Sequence, residues 1–192
     1  VISLATKRGT NKWKSGASLI WAPDALRSTA KDVKSLDPES AGGYVVFGSA
    51  RKDSAIEYNV YSGGPIIKDT LFFFGALTGN RDETDTFARG QSTNFKAGKP
   101  NGIIKIDFTP NDSNRLELTA ISNKKETEIT DYIRPAGSPI YQTSHVGAGA
   151  KSTQVSGGDV LIGKYTGYLT DNLTVSALVG SVNDKVTKTT GA

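Results

Sequence analysis

The chain is built of short segments in which apolar and polar residues alternate with a period of two, the pattern of strands whose two faces meet different surroundings. In the clearest segment, "GIIKIDFT", Ile104, Ile106 and Phe108 occupy one face and Lys105 and Asp107 the other. The same pattern predicts strands over Lys12–Trp21, Ala55–Ser62, Leu71–Gly79, Gly102–Thr109, Arg115–Lys124, Asp159–Leu169 and Leu173–Asn183.

The predicted connections between these strands alternate in length. Long connections cover Ala22–Ser54, Asn80–Asn101 and Lys125–Gly158, and short ones cover the "GGPIIKD" turn, Pro110–Asn114 and Thr170–Asn172. Two-faced strands are also found in soluble sandwiches, but the alternation of loop lengths favours an up-and-down outer-membrane barrel. We therefore predict an all-β, antiparallel fragment of a transmembrane β-barrel. About seven strands would form an open curved sheet, with long external loops and short periplasmic turns.

The placement of charges and aromatic residues agrees with a lipid-facing and a lumen-facing side. A lysine or arginine turned to mid-bilayer lipid would cost about 2–4 kcal/mol. The predicted lumen-facing charges are Lys105, Asp107, Arg115 and Glu117. The aromatic residues predicted to contact lipid or form an interfacial girdle are Trp13, Trp21, Tyr58, Phe108 and Tyr165. The alternative interpretation of these aromatics is core packing in a soluble β domain.

Composition narrows the class of protein further. With 36% hydrophobic residues and a mean hydropathy of -0.33, the chain is neither a helical membrane protein nor mostly disordered. The net charge of +4 comes from 23 basic and 19 acidic residues that are interspersed, so we predict a mixed surface and no nucleic-acid partner. The chain does not begin with Met, so we expect a processed chain or a fragment.

The residues that could carry catalysis are sparse. Cysteine is absent, and the single histidine, His145, lies in a Gly/Ser-rich segment where we expect it to be solvent-exposed. The acidic residues of "RDETD", Asp82, Glu83 and Asp85, lack the spacing of a calcium loop and are expected at an exposed loop tip. We predict no catalytic, metal or cofactor site and no enzymatic activity.

Two stretches resemble the TonB-dependent receptors of Gram-negative outer membranes, in particular the Oar-like branch with a carboxypeptidase-regulatory-like N-terminal domain. "VISLATKRGTN", residues 1–11, is similar to the family segment that closes the plug domain and leads into the first barrel strand. "YSGGPIIKDTLFFFG", residues 61–75, resembles the Gly-Gly-Pro-Ile turn and Phe-rich strand that follow the first hairpin. The order and spacing of the two motifs make the resemblance specific.

The resemblance implies that residues 1–11 are the end of the plug domain, with its last strand at residues 1–8, and the linker to the barrel, and that residues 12–192 form the first seven of some 22 barrel strands. Gly63, Gly64 and Pro65 would then form a periplasmic turn. The complete protein would import a scarce ligand such as a siderophore, peptide or carbohydrate, with energy from the TonB complex. Its other partners would be outer-membrane lipid and the plug of the same chain. The long loops would bind the ligand, through residues that the sequence does not identify.

Two other functions stay open at this point. A passive porin or an adhesin barrel without a plug would share the strand pattern, and a plug upstream of Val1 in the parent gene would argue against it. A soluble, secreted carbohydrate-binding sandwich would share the alternation, with Phe72–Phe74 packed between two sheets.

The barrel interpretation predicts how the chain behaves by itself. Expressed alone, it should aggregate in plain buffer or need detergent, because one face of every strand is apolar. Size-exclusion chromatography and thermal unfolding monitored by circular dichroism check this. A monodisperse chain that unfolds cooperatively in plain buffer would contradict the barrel.

Overall fold

The computed structural model describes residues 9–36, 43–138 and 143–191, and within them the chain is an all-β protein. Two three-residue 3-10 turns, η1 (Asp24–Leu26) and η2 (Gly48–Ala50), are its helical elements, and no helix in these ranges is long and apolar enough to cross a membrane. The strands are β1 (Lys14–Ala22), β2 (Val33–Lys34), β3 (Tyr44–Val46), β4 (Lys52–Ile67), β5 (Leu71–Phe87), β6 (Gln91–Ala97), β7 (Asn101–Asn111), β8 (Asn114–Ser122), β9 (Lys125–Ile133), β10 (Gly149–Ser156), β11 (Gly158–Thr170), β12 (Leu173–Asp184) and β13 (Thr187–Thr190).

Eleven of these strands form one antiparallel sheet in which the chain runs up and down seven times. The seven passes are β1, β4, β5, β6 with β7, β8 with β9, β10 with β11, and β12 with β13. Each pass pairs with the next along the chain, so β1 and the last pass are the two edges. β2 and β3 form a separate two-stranded sheet. The seven predicted strands, their order and their antiparallel direction are confirmed.

An irregular line, which we call the crease, crosses four neighbouring passes at one level. It comprises residues 98–100, 123–124, 157 and 185–186, where each pass is interrupted between its two strands. The crease is held by backbone bonds from Gly98 N to Glu126 O and from Lys185 N to Gly157 O, both 3.2 Å. β4 and β5 continue far beyond this level without interruption, and β1 ends just above it. The crease divides the sheet into a half near the short turns and a half near the long connections.

The predicted extent of two of the three long loops is wrong, because strands continue into both ranges. Most of Asn80–Asn101 forms the upper part of β5 and β6, joined by a connection of residues 88–90. Half of Lys125–Gly158 is β9 and β10, and the connection between them is shortened to residues 134–148. Both faces of these extensions carry polar residues, so they lack the alternation that marks the lower strands. Only the first long connection, residues 23–51, has about its predicted extent.

The strand register separates the side chains below the crease into an apolar and a polar face. Directly paired residues lie on the same face of an antiparallel sheet. We call the apolar face below the crease the apolar band; its members are uncharged, and the charged residues Asp159 and Arg81 lie on the same face at its upper border, in the rows of Ser122 and Ile56. Its members are Trp13, Ser15, Ala17, Leu19 and Trp21; Ile56, Tyr58, Val60, Ser62 and Gly64; Leu71, Phe73, Gly75, Leu77 and Gly79; Gly102, Ile104, Ile106 and Phe108; Leu116, Leu118, Ala120 and Ser122; Leu161, Gly163, Tyr165 and Gly167; and Val175, Ala177, Val179 and Ser181.

No second layer of structure covers the apolar band within the described part of the chain. Among the described residues the buried apolar side chains are Phe47, Phe74 and Phe87, and none belongs to the band. Large band residues such as Leu19, Ile104 and Val179 are more than half exposed. A sheet in a water-soluble domain normally buries its apolar face against another layer. The alternative arrangement, a sandwich with Phe72–Phe74 between two sheets, is absent from the described part of the chain.

The three consecutive phenylalanines divide between the two faces. Phe72 and Phe74 pair with Asp107 and Lys105 on the polar face, whereas Phe73 pairs with Ile106 in the apolar band. The polar face of β5 therefore carries aromatic rings next to the charges of β7.

The turn predicted at Gly63–Pro65 is wrong, because these residues lie within β4, paired with Phe74, Phe73 and Phe72. The chain instead turns at residues 68–70, where Asp69 has a φ of 61°. Neither Gly63 nor Gly64 has a positive φ. A Cβ at Gly64 would lie 2.4 Å from the Trp13 ring, and one at Gly63 would lie 2.9 Å from the Phe74 ring. These glycines thus make room for aromatic rings rather than for a turn.

A third glycine–aromatic pair tests this packing. Gly79 lies opposite Tyr58, and a Cβ at Gly79 would lie 2.4 Å from the ring carbon Cζ. Gly79→Val should destabilise the fold by about 1–3 kcal/mol through overpacking. Because Tyr58→Ala removes the ring, the double variant should recover part of this loss.

Urea unfolding of the four proteins of this double-mutant cycle, in detergent if the chain requires it, measures the coupling. Gly163→Val is the control, since a Cβ there would meet only Val179 Cγ1 at 3.5 Å. Additive effects of the two substitutions would contradict the packing argument.

Candidate functional site

The predicted lumen-facing charges come together on the polar face, where three of them form a buried cluster. Lys105 Nζ lies 3.0 Å from Glu117 Oε1 and 3.7 Å from Asp107 Oδ1, and Lys164 Nζ lies 3.8 Å from Glu117 Oε2. Lys105 is 6% exposed and Asp107 is 3% exposed. Arg115 lies on the same face, opposite Thr166. Removing one partner of such a buried pair leaves an uncompensated charge, so the cluster constrains this part of the sheet.

The two sequence motifs that resemble the receptor family contact each other at the turn end of the sheet. Asp69 N donates to Asn11 Oδ1 at 2.9 Å, and the Asn11 amide donates back to the Asp69 carboxylate. Gly9 packs so closely that a Cβ would lie 2.5 Å from Phe73 O and 2.9 Å from Phe72 Cβ. The glycine and asparagine of "RGTN" therefore fix the chain against the β4–β5 turn. The predicted last plug strand, residues 1–8, lies outside the described residues.

At the opposite end of the sheet the long connections and the β5–β6 hairpin meet in what we call the loop-end cluster. Val46 bridges to Ala88, Phe47 N donates to Phe87 O at 2.9 Å, and Arg134 N donates to Gly90 O at 3.0 Å. Segments predicted to be three separate recognition loops are thus joined. Phe47 and Phe87, each 3% exposed, lie in the centre of this cluster.

His145 belongs to this cluster, and the expectation that it is solvent-exposed is wrong. Its ring stacks between Phe87 and Tyr132, with centroid distances of 5.1 and 4.4 Å. Its Nδ1 lies 2.9 Å from Ser92 Oγ and its Nε2 lies 2.9 Å from Asp85 Oδ1. The partners come from distant strands, so no spacing along the sequence indicates them.

Ser92, His145 and Asp85 are the residue types of a hydrolytic triad, but their setting does not suit a nucleophile. A nucleophilic serine must reach the substrate carbonyl and needs donors for the developing oxyanion. Ser92 is 1% exposed beneath the His145 ring, so a substrate has no approach to its hydroxyl. The geometry instead anchors the 134–148 connection to the β5–β6 hairpin.

The first long connection is anchored by a second network. Asp24 accepts a 2.7 Å bond from the backbone N–H of Asp53, which holds the pKa of Asp24 below its ordinary value. Asp53 in turn pairs with Arg51 at 2.8 Å and accepts a bond from the Thr84 hydroxyl at 2.5 Å. A cavity of about 620 Å³ lies beside this network, and Trp21, Leu26, Arg27 and Asp82 are among its lining residues. Its size is that of a small-ligand pocket.

The acidic residues of "RDETD" lie within β5, so the predicted acidic loop tip is wrong. Asp82 pairs with Ala55 on the polar side, and Glu83 and Asp85 lie on the other side. Glu83 Oε1 lies 3.1 Å from Lys96 Nζ, and Asp85 accepts a 2.6 Å bond from Asn94. The residues that the structure describes contain no group of three metal-ligating side chains.

The pKa of Asp85 gives the His145 anchor a testable pH dependence. Burial would raise this pKa, but hydrogen bonds from Asn94 and His145 outweigh burial and hold it below its ordinary value. A depressed pKa contributes stability above about pH 4 that is lost as the pH falls through the lower, folded-state value. Asp85→Asn should therefore weaken the cluster at neutral pH and reduce its sensitivity to acid.

Amide hydrogen exchange of residues 91–97 and 143–148 between pH 3 and 7 measures this effect. His145→Ala should increase exchange in the same segments and leave β11 and β12 unchanged. Asp171→Asn, in the exposed turn at residues 171–172, is the matched control. Unchanged exchange in both cluster variants would show that the anchor does not hold the connection.

The chain was compared with models of known protein families, with curated proteins and with solved structures. None of the three comparisons finds a match.

Proposed function

We propose that this chain is part of the wall of a TonB-dependent outer-membrane receptor, with its apolar band in contact with lipid and its polar face lining the lumen. The complete receptor would bind a scarce nutrient at its outer surface and import it with energy from the inner membrane. The observation that carries the proposal is the apolar band, which extends over all seven passes with charged residues only at its upper border and without a covering layer among the described residues.

The dimensions of the band suit a bilayer. On β5 it extends from Leu71 to Gly79, about nine residues, or about 26 Å along the strand at about 3.3 Å per residue. A transmembrane strand needs about 9–11 residues when it is tilted. Backbone pairing also satisfies the donors and acceptors of the five inner passes, and in the proposed barrel the two edge passes would pair with further strands.

The upper limit of the band coincides with a change in chemistry on the same face. Beyond Gly79 this side of β5 carries Arg81, Glu83 and Asp85, and charged pairs such as Lys99–Glu126 lie at the crease. Outer-membrane barrels show this succession from an apolar band to a polar zone. The polar extensions above the crease would stand outside the bilayer and carry the loop-end cluster.

The entry of the chain supports a receptor with a plug rather than an open porin. Gly9 packs beside Phe72, a residue of the polar face, at the end of the sheet where the turns are short. A chain entering from the lumen at the periplasmic rim would have this position. Ligand recognition is assigned to the opposite end, which holds the loop-end cluster and the cavity beside Asp53.

Two adjacent residues of β12 distinguish a lipid-facing band from a water-facing sheet. Val179 belongs to the band and is 73% exposed, whereas Leu178 lies on the polar face and is 68% exposed. Val179→Lys should reduce membrane insertion at a cost of about 2–4 kcal/mol, while Leu178→Lys should have little effect. In water, both lysines would be tolerated equally because both positions are open.

The measurement uses the chain within its complete receptor, refolded into phospholipid vesicles, with the inserted fraction read from protease protection. Equal insertion of the two variants would argue against lipid contact at the band. Ligand import by the intact receptor, lost on removal of the energising complex, would test the transport function itself.

A further inference from the structure

The cavity beside Asp53, about 620 Å³ in volume, is lined by residues of the first long connection and of the polar face of the sheet. Ala22, Ala55 and Asp82 pair in one row across β1, β4 and β5, and all three line the cavity. Two members of this row are alanines, so their side chains fill little of the space above the strands. Leu26 belongs to the connection and also lines the cavity. The cavity therefore lies between the connection and the sheet.

The connection is tied to the start of β4, so this cavity exists before a ligand binds. Asp24 accepts the 2.7 Å bond from Asp53 N, and Arg27 Nη1 lies 3.8 Å from Asp53 Oδ2. The Arg27 guanidinium also donates to the backbone oxygen of Arg51. A preformed cavity binds a ligand without the cost of ordering a loop.

Four of the charges around the cavity neutralise one another. Arg27 Nε lies 3.3 Å from Asp24 Oδ1, and Arg51 Nε lies 2.8 Å from Asp53 Oδ2. Each arginine thus has a carboxylate partner within this network. The two pairs leave no net charge to attract a ligand.

Asp82 is the remaining charged residue of the lining, and it has no ion-pair partner in the described part of the chain. Its carboxylate accepts a hydrogen bond from the Asn80 amide. The only basic residues of β4 and β5, Lys52 and Arg81, lie on the opposite face of the sheet. Asp82 is only partly buried, so a ligand in the cavity can reach its carboxylate. The cavity thus has one uncompensated negative charge, which favours a cationic ligand.

The apolar part of the lining is open to solvent. Leu26 is 83% exposed although it lines the cavity. A ligand that contacts Leu26 together with the alanines of the strand row would remove apolar surface from water. An apolar group joined to a cationic group therefore matches the exposed leucine and the uncompensated carboxylate of Asp82.

We propose that the cavity beside Asp53 binds a ligand that carries a positively charged amine next to an apolar group. The amine contacts Asp82, and the apolar group contacts Leu26. A lysine side chain of a peptide and a free alkylamine both have this chemistry. The inference rests on the proposed function, which assigns ligand recognition to this end of the sheet, and it goes further by naming the chemical class of the ligand.

Three substitutions separate the two contacts. Asp82→Asn removes the charge and keeps the size of the side chain. Glu57→Gln is the matched control, since Glu57 lies on the same face of the sheet, opposite Asn80, but outside the cavity lining. Leu26→Ser removes the apolar contact at an exposed position.

The experiment is isothermal titration calorimetry of the complete receptor in phosphatidylcholine nanodiscs, with blocked dipeptides as probes. The wild type and Glu57→Gln should bind N-acetyl-leucyl-lysinamide about fivefold more tightly than N-acetyl-leucyl-glutaminamide, the gain expected of a partly exposed ion pair. Asp82→Asn should bind these two probes equally. Leu26→Ser should bind N-acetyl-leucyl-lysinamide no more tightly than N-acetyl-glycyl-lysinamide.

Butylamine, titrated alone, separates the two sources of the amine. Binding of butylamine that depends on Asp82 and is as tight as that of the leucyl-lysyl probe supports the site with a free alkylamine as its ligand. Weaker binding of butylamine, with the preference for the leucyl-lysyl probe retained, supports the site with a peptide as its ligand.

Other outcomes overturn the proposal in distinguishable ways. Equal affinity of the wild type for the lysyl and glutaminyl probes would refute the amine contact. Equal loss of the preference in Asp82→Asn and Glu57→Gln would show a diffuse negative field rather than a site. Displacement of the lysyl probe by an equal concentration of calcium chloride would make the cavity a metal site. If the receptor inserts into vesicles but does not prefer the lysyl probe, the amine site is refuted and the membrane location stands; if it fails to insert, the membrane location is refuted.

Discussion

The structure depends on one constraint, the strict alternation of side chains along paired strands. A shift of one residue in the pairing of any two strands would move apolar side chains among the charges of the polar face and charges into the apolar band. The buried Lys105–Glu117 pair joins β7 to β8, and only the observed register keeps both groups on one face. The glycine–aromatic pairs at β1, β4 and β5 also favour the observed register, because each ring fits only opposite a residue without a side chain.

The lower half of the sheet was predictable because its two faces meet different surroundings. In β7 the alternation of isoleucine with lysine and aspartate indicates the strand and its two faces, and together with β8 it places the charges Lys105, Asp107 and Glu117 on one face. Above the crease both faces are polar, so β6, β9 and β10 carry no apolar period and their sequences do not distinguish them from loops. Their pairing is held by the backbone and by cross-strand contacts such as Glu83–Lys96, which alternation of hydrophobicity does not report.

The features that sequence reasoning missed are those built from residues distant along the chain. Gly63 and Gly64 were interpreted by the usual association of glycine with turns, although their neighbours across the sheet explain them. His145 had no candidate partner nearby in the sequence, and Asp85 and Ser92 are more than 50 residues away. The partners of His145 become visible only once the strand pairing is known, because the pairing brings Asp85, Ser92 and Tyr132 to one side of adjoining strands.

The crease also has a consequence for how this sheet can change during evolution. An insertion or deletion above an interruption can be absorbed by the irregular residues at 98–100 or 123–124, so the register below them is unaffected. The loop end of these passes can therefore be remodelled for a new ligand while the apolar band keeps its alternation. β4 and β5 lack such a break, and a change of length within either would propagate through the whole hairpin. The first hairpin is accordingly the fixed reference against which the other passes can vary.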